Sequence, residues 1–519
     1  MKLPKRIDLT QKQMDALLSR AKRLLAPEDY EIIQGMADTI MFLSNTVGKK
    51  DAQVQKLLRM LFGAVTEKTA KALKEKKEKK KTDKKAKGHG RNARWAYKGA
   101  QKIKVEHQDL KPKDKCPECR KGKLYESTLP KVVVRVTGQP PLAAKVYEMQ
   151  KLRCNLCGRV FSAQPPPEVG DGKYDSGAGA MVALLKYGTG LPFNRLEGLQ
   201  QSLGVPLPAS TQWEIAEEVA KKIEPAYREL ARLACQGDIL HNDDTVAKIL
   251  EHMKIIKERK DKKGRKGTFT TGIASVTGDR KIALFYTGTR HAGENLAELL
   301  KKRNKSFGPP IQMCDGLSRN TPEGFKTVLA NCLVHSRRKF YEINESFPAE
   351  CEYVLKTLEA VYENDAYTKK MEMDPEQRLK YHQDKSGKLM DDLKKWLTSQ
   401  LDEGKVELNS NLGEAITYML KHWKGLTLFL EVPKAPLDNN LCERTLKKAI
   451  LHRKNALFFK SYYGAYVGDL FMSLIHTANL CGANAFEYLK TLQENDEKVS
   501  KEPGKWMPWN YRKMLDADA

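Results

Sequence analysis

The sequence predicts a multidomain α+β protein, and three observations carry that expectation. At 519 residues the chain is longer than a single hydrophobic core usually sustains. Its hydrophobic spacing changes from helical to short strand-like runs at Gly237 and returns to helical beyond about residue 345. Two Cys-x-x-Cys pairs, Cys116 with Cys119 and Cys154 with Cys157, mark a small module that a metal ion would hold together.

Charge narrows the partners. The formal net charge is +27, and the run from Lys71 to Lys87, ten lysines against three acids, supplies only +7 of it. Positive charge spread over the remainder favours a polyanion, because each neutralised phosphate releases counterions without any base being read. Nucleic acid is therefore preferred over a membrane surface. No run of eighteen apolar residues occurs, and MKLPKRIDLTQK lacks the apolar core of a signal peptide, so a cytoplasmic protein with no membrane partner is expected. The six cysteines outside the two pairs are scattered, which fits reduced thiols plus one metal site better than a disulfide framework.

Residues 1–66 read as helical. Ile33, Ile40, Val47, Val54 and Leu61 recur every seven positions, and Met36, Leu43 and Leu57 fill the intervening one, with Lys50 its polar entry. Two readings stand: a coiled coil between subunits, or a helical hairpin broken near Gly48. Residues 67–111 form a linker too charged to bury anything, ending in GHGRNARWAYKG, whose mixed Arg and aromatic residues suit phosphate contact and base stacking.

The spacing over 112–165 predicts a zinc ribbon. Thiolates two residues apart in a tight turn both reach one tetrahedral Zn²⁺, and two such knuckles, with the strand-like KVVVRV and KVYEMQKLR between them, close a four-sulfur structural site. Arg153 and Arg159 flank the second knuckle, positioned to touch DNA. After the break at QPPPEVGDG, residues 166–234 read as helix, turn, helix, with Thr211 and Glu214 as a capping box at the second start. The turn holding Gly204 and Pro206 suits a DNA-reading helix-turn-helix and equally a helical hairpin that binds nothing.

Strands follow in 235–344. GDILHNDD ends in acids, GTFTTGIASV and KIALFYTGT make a hairpin across TGDR, and PPIQMCD ends in Asp315. Strand, hairpin, strand and helix is how a ribonuclease H-like core begins, and it brings Asp243 and Asp315 from strand ends to one spot, where two carboxylates can bridge two Mg²⁺ ions. Residues 345–425 read as a helical insertion. The core then resumes over 426–480, where Glu443 stands with Asp438, Asn439, Asn440 and Arg444 at a helix start, and a helical tail spans 481–519.

PLDNNLCERTLKKAILHRKNALFF resembles the DNN..ER....RKN.LF signature of insertion sequence 66 family transposases, and HNDDT resembles their HxDET. The likeness extends to the glycine after Asp315, the NCLVHSRRKF segment, LPxxR from Leu191, the paired cysteine knuckles and the N-terminal zipper. The resemblance implies a DDE transposase in which Asp243, Asp315 and Glu443 hold two Mg²⁺ (or Mn²⁺) ions, with Asp315 72 residues after Asp243 and Glu443 128 after Asp315. It implies an active-site role for Cys332 and His335, the imidazole orienting the phosphate or shuttling a proton. Arg337 and Arg338 suit a phosphate clamp or a solvated helix face. Arg444 and Arg453 are further DNA contacts.

The implied substrates are double-stranded DNA, namely the terminal inverted repeats of the element and its target. The implied assembly is a homodimer or larger, with small accessory transposition proteins as further partners. Another class of function stands beside it, a zinc-dependent DNA-binding repressor derived from a transposase and lacking catalysis; a nuclease that cuts without joining is a third. Three positions depart from the family pattern: Asp244 replaces the usual Glu, Val246 the following Pro, and LSRN an aromatic-rich segment. Asp244 is chemically close enough to Asp243 to serve as the first ligand instead.

Overall fold

The structure is a computed structural model that describes residues 11–37, 109–125, 140–153, 155, 159–169, 172–258 and 264–518. The heptad positions from Ile40 onward, the lysine run, GHGRNARWAYKG, KVVVRV, Cys154 and Cys157 lie outside these residues. The chain forms two compact units, Lys76–Pro141 and the remainder. No described helix is long and apolar enough to cross a membrane.

Within the smaller unit, residues 109–125 form a knuckle around the first cysteine pair. Cys116 donates its amide to Gly122 O at 2.8 Å, Arg120 donates to Cys116 O at 2.9 Å, and Lys115 bridges Lys123. The Gly122 amide approaches Cys119 Sγ at 3.5 Å. In the larger unit, α1 (Gln11–Leu24) is followed by a helical stretch at 27–37, on which the heptad residues Ile33 and Met36 are exposed. Strands β1 (Lys151–Arg153) and β2 (Val160–Ser162) pair antiparallel, bracketing the positions of the second cysteine pair.

Helices α2 (Ser176–Ala183), α3 (Phe193–Ser202) and α4 (Ala209–Ala234) precede the sheet. The expected capping box at Thr211 does not form: α4 starts earlier, with Pro208 at its N-cap and no side-chain cap bond, because Pro208 already holds φ at −57° for helix entry. Gln212 joins the two helices instead, donating to Phe193 O at 3.0 Å and Leu207 O at 2.9 Å. One face of α4 buries Ile215, Val219, Ile223, Ala226 and Leu230 in the core.

The sheet contains β3 (Ile239–Ala247), β4 (Thr268–Thr277), β5 (Arg280–Gly288), β6 (Ile311–Cys314) and β7 (Val328–Asn331), in the order β5-β4-β3-β6-β7. Strands β3, β4 and β5 pair antiparallel, while β6 joins β3 and β7 joins β6 in parallel. The burial of every residue of β6, Ile311 to Cys314, explains its unbroken apolar reading: both faces are covered. Helices α5 (Leu250–Glu258) and α6 (Ala292–Leu300) flank the hairpin, and α7 (Leu333–Ile343) follows β7.

The long helices α8 (Pro348–Lys370), α9 (Pro375–Asp402) and α10 (Asn411–Lys421), and a single helical turn at Trp423–Leu426, come before α11 (Asn440–Ala456). They share a core with β6, β7 and α7, built on Met313, Phe340, Val354, Leu358, Leu393, Leu397 and Met419. A buried ionic knot ties this helical layer to the segment entering α11. Arg378 grips Asp365 Oδ1 through Nε at 3.0 Å and Nη2 at 2.8 Å, and its Nη1 donates to Ala435 O at 2.9 Å. Burial opposes ionisation of Asp365, but the His382 hydrogen bond, Arg378 and Lys369 hold its carboxyl well below the usual range.

The outer edge of β5 is covered by a helix rather than by another strand. Along α12 (Tyr462–Leu480), Asp469 Oδ2 accepts from Thr287 N at 2.6 Å, Ser473 Oγ from Phe285 N at 3.0 Å, and Thr477 Oγ1 from Ala283 N at 3.0 Å. The registers match because four helical residues rise about 6 Å and two strand residues about 6.6 Å. Helix α13 (Ala485–Glu494) then packs against α2 and α4.

Two predictions follow from the buried acids. Burial pushes Asp469 up to about 7, against the opposing bonds from Thr287. A carboxyl raised on folding stabilises most below its unfolded value near 4, and that contribution is lost as pH rises to about 7, by up to about 1.4 kcal/mol per pH unit. Asp469→Asn keeps an oxygen for Thr287 N and should flatten the fall in denaturation midpoint over that window. Arg378→Met leaves Asp365 buried without its main partner and should cost about 3–5 kcal/mol in chemical denaturation.

Candidate active site

Asp243 and Asp244 are consecutive on β3, so they point to opposite faces of the sheet. Asp243 pairs in register with Gly272, and a Cβ at Gly272 would lie 2.9 Å from Leu446, which puts Asp243 on the face covered by α11. Asp244 turns the other way. Its carboxylate, 2% exposed, meets His291 Nδ1 at 2.8 Å and Arg319 Nη2 at 3.3 Å, at the start of α6. Asp244 is thus already paired, while Asp243 lies on the face that α11 covers.

Asp243 is poorly suited to carry a charge alone. Burial pushes its carboxyl up to about 7, and the nearby charges of Asp315, Asp244 and Glu443 add to the rise, against the Asp244 amide that donates to Oδ1 at 2.8 Å. Asp315 follows β6 on the parallel neighbour of β3. Its Oδ1 accepts from Asn320 Nδ2 and from Leu317 N, the latter at 3.2 Å.

Beneath these acids runs a chain of buried carboxamides. Asn242 Nδ2 donates to Asn320 O at 2.8 Å, Gln312 Nε2 donates to Asn242 Oδ1 at 2.9 Å and to Asn320 O at 2.8 Å, and Asn439 Nδ2 donates to Asn242 O at 3.2 Å. His241 Nδ1 lies 3.1 Å from Asn439 Oδ1. Buried polar groups of this kind cost about 1–3 kcal/mol each when unpaired, so the bonds they make here favour one register of β3 on β6. Sequence reasoning missed His241, Asn242, His291, Gln312, Arg319 and Asn320. The available signal was a polar residue such as Gln312 inside the apolar run IQMC.

Glu443 lies in the first turn of α11, and the start of that helix is locked to α7. Leu333 N donates to Leu437 O at 3.0 Å, and Asn439 N approaches Cys332 Sγ at 3.3 Å. Cys332, His335 and Glu443 consequently converge, their candidate ligand atoms all within 4.8 Å of one another. His335 Nε2 stands 4.0 Å from Glu443 Oε1, while His335 Nδ1 and Glu443 Oε1 are buried with no hydrogen-bond partner among the described residues. Burial pushes the Cys332 thiol up to about 12. The helical layer closes one side: a Cβ at Gly316, next to Asp315, would come within 2.8 Å of His422 and 2.9 Å of Tyr418 Oη, so a larger residue there would have to displace those side chains.

The predicted basic residues separate into two kinds. Arg153, Arg159 and Arg444 are exposed, and Arg338 is half-buried. Arg337 is buried, its guanidinium 6.0 Å from the Tyr341 ring centre, and Arg453 is spent within the fold, donating to Thr245 Oγ1 at 3.0 Å and to Val246 O. In the smaller unit Cys119 is exposed, and the amides of Gly122 and Lys121, with the Cys116 side chain, hold its thiol below the ordinary value.

Comparison with known proteins places the chain. The uncharacterized protein y4hP of Sinorhizobium fredii is 25% identical over 445 residues, covering 80% of this chain and 76% of the relative. The uncharacterized protein y4jD of the same organism is 25% identical over 382 residues, 69% of this chain and 71% of that one. The family profile described as "Transposase IS66 family" matches residues 171–466, from the lead into α2 through the three acids and into α12. On that match the chain belongs to the IS66 family of transposases.

Proposed function

We propose that this transposase binds the terminal inverted repeats of its insertion sequence, hydrolyses a strand at each end and joins the freed 3′-hydroxyl to target DNA through a DDE site of Asp243, Asp315 and Glu443. The observation that carries the reading is the meeting of these acids, from two adjacent parallel strands and a packed helix, where the charges of Asp315 and Glu443 add to the rise that burial imposes on Asp243. The strand order β5-β4-β3-β6-β7, with β4 antiparallel to the rest, supports a ribonuclease H-like core.

The donor set fits divalent metal. Asp243 is disfavoured as an anion where it stands, and Glu443 Oε1 is buried without a partner, so a cation relieves both. Bound by Asp243, Asp315 and Glu443, two Mg²⁺ (or Mn²⁺) ions supply activation of the attacking oxygen and stabilisation of the leaving one. The chain's own residues do the positioning. Asn320 fixes Asp315, the Asp244 amide fixes Asp243, and the Asn439 segment fixes the start of α11. His335, beside Glu443, is placed to hold or pass a proton at Nε2. Arg444, Lys447 and Lys448, exposed on the same helix as Glu443, suit DNA phosphates, as do Arg153, Arg159 and Arg338.

The reading extends to a structural Zn²⁺ held by Cys116, Cys119, Cys154 and Cys157, and to a homodimer or larger assembly, with small accessory proteins, that holds two ends together. A labelled duplex carrying the terminal repeat, incubated with Mg²⁺, tests the core of it. Asp243→Asn, Asp315→Asn and Glu443→Gln should each lower cutting on the order of a thousand-fold, about 4 kcal/mol of transition-state stabilisation, while retaining binding. Asp244→Asn should lose less than any of these. Binding by the parent chain with no cutting under any metal would favour a DNA-binding repressor instead.

A further inference from the structure

We propose that Cys332, His335 and Glu443 form a second metal site, selective for a borderline-soft divalent ion such as Zn²⁺, which shares Glu443 with the DDE acids. Geometry comes first. The three ligand atoms lie within 4.8 Å of one another, against roughly 3.3–3.6 Å between ligands of a tetrahedral Zn²⁺ with Zn–N about 2.0 and Zn–S about 2.3 Å. Small rotations of the His335 and Glu443 side chains close the difference, since both are partly exposed at 24% and 23%. The backbone needs no such change. Cys332 and His335 sit on one helix start, with His335 N donating to Cys332 O at 3.2 Å, and α11 is bonded to that start through Leu437 and Asn439.

A second, independent observation points to a ligand. His335 Nδ1 and Glu443 Oε1 are buried with no hydrogen-bond partner among the described residues, although each costs free energy in that state. Asn439 N–H already points at Cys332 Sγ, the outer hydrogen bond that steadies a thiolate ligand. Donor chemistry sets selectivity: Mg²⁺ takes oxygen, whereas one sulfur, one nitrogen and one oxygen suit Zn²⁺ and leave its fourth position open. Binding releases one proton from the Cys332 thiol to solvent, keeping charge in balance. Turned toward Cys332 and His335, the Glu443 carboxylate moves away from Asp243 and Asp315, and Zn²⁺ held there opposes the Mg²⁺-dependent reaction. That consequence rests on the role given to Glu443 above; the site itself does not.

The test reads the ion directly and needs no DNA. Full-length protein produced with Co²⁺ in place of Zn²⁺, and equilibrated with low-micromolar Co²⁺, is compared with Cys332→Ser and His335→Gln. The parent should carry one more Co²⁺ per chain than either variant, with added sulfur-to-cobalt charge transfer in the near ultraviolet that Cys332→Ser abolishes. His335→Gln, at a partly exposed position, guards against a folding defect at buried Cys332. Equal cobalt content and equal charge transfer in all three proteins would overturn the site while leaving the DDE reading intact. A cobalt-loaded parent that never cuts DNA would do the reverse.

Discussion

Asn242, Gln312, Asn320 and Asn439 are carboxamides with no exposed surface, and each acid of the site is held next to one of them. Asn242 precedes Asp243 on β3, Asn320 bonds Asp315, and the carbonyl of Asn439 accepts the amide of Glu443 at 3.0 Å. Carboxamides suit this place because they donate and accept without charge. A buried carboxylate there would add to the repulsion that the acids already impose on one another. Each bond contributes only about 1 kcal/mol net, but a register slip would strand several donors at once, and that asymmetry fixes the arrangement.

A second constraint acts from the far face of β3. Asp244 is anchored to His291 and Arg319, so the strand cannot roll to exchange its two acids. Arg319 lies one residue before Asn320, which makes the short turn after Asp315 a clamp with two arms. One arm reaches across the sheet to Asp244 and the other back to Asp315. Two of the positions at which this chain departs from the family pattern, Asp244 and the LSRN segment, are therefore partners in space.

Much of this was legible in the sequence and some was not, for physical reasons. Asp315 was readable as the acid just after a strand because an apolar run ending in an acid marks a strand end, whereas β3 carries on past Asp243 to Ala247, so that acid stands mid-strand and not at the expected end. Glu443 was readable because the surrounding DNNLCER pattern is dense. The choice between Asp243 and Asp244 was not readable, since alternation gives opposite faces without saying which face is covered by what. The capping box at Thr211 looked sound because the motif is local, yet Pro208 set the start of α4 upstream of it. Buried Arg337 and internally bonded Arg453 show the limit of reading function from charge: a guanidinium is equally good at satisfying carbonyls within its own fold. The helical layer between β7 and α11 was visible as spacing, but the Arg378 bond to Ala435 O, which links it to the approach of α11, spans 57 residues and leaves no local trace.

The helix lying along β5 has a consequence for how copies of the chain can meet. Asp469, Ser473 and Thr477 occupy alternate amides of that strand, at Thr287, Phe285 and Ala283, as a neighbouring strand would. A peptide or a second subunit arriving at this margin finds no free ladder there to extend. Growth of the sheet from one molecule into the next is closed on that side. Any contact between copies at this margin is left to side chains, which part more readily than a shared backbone ladder.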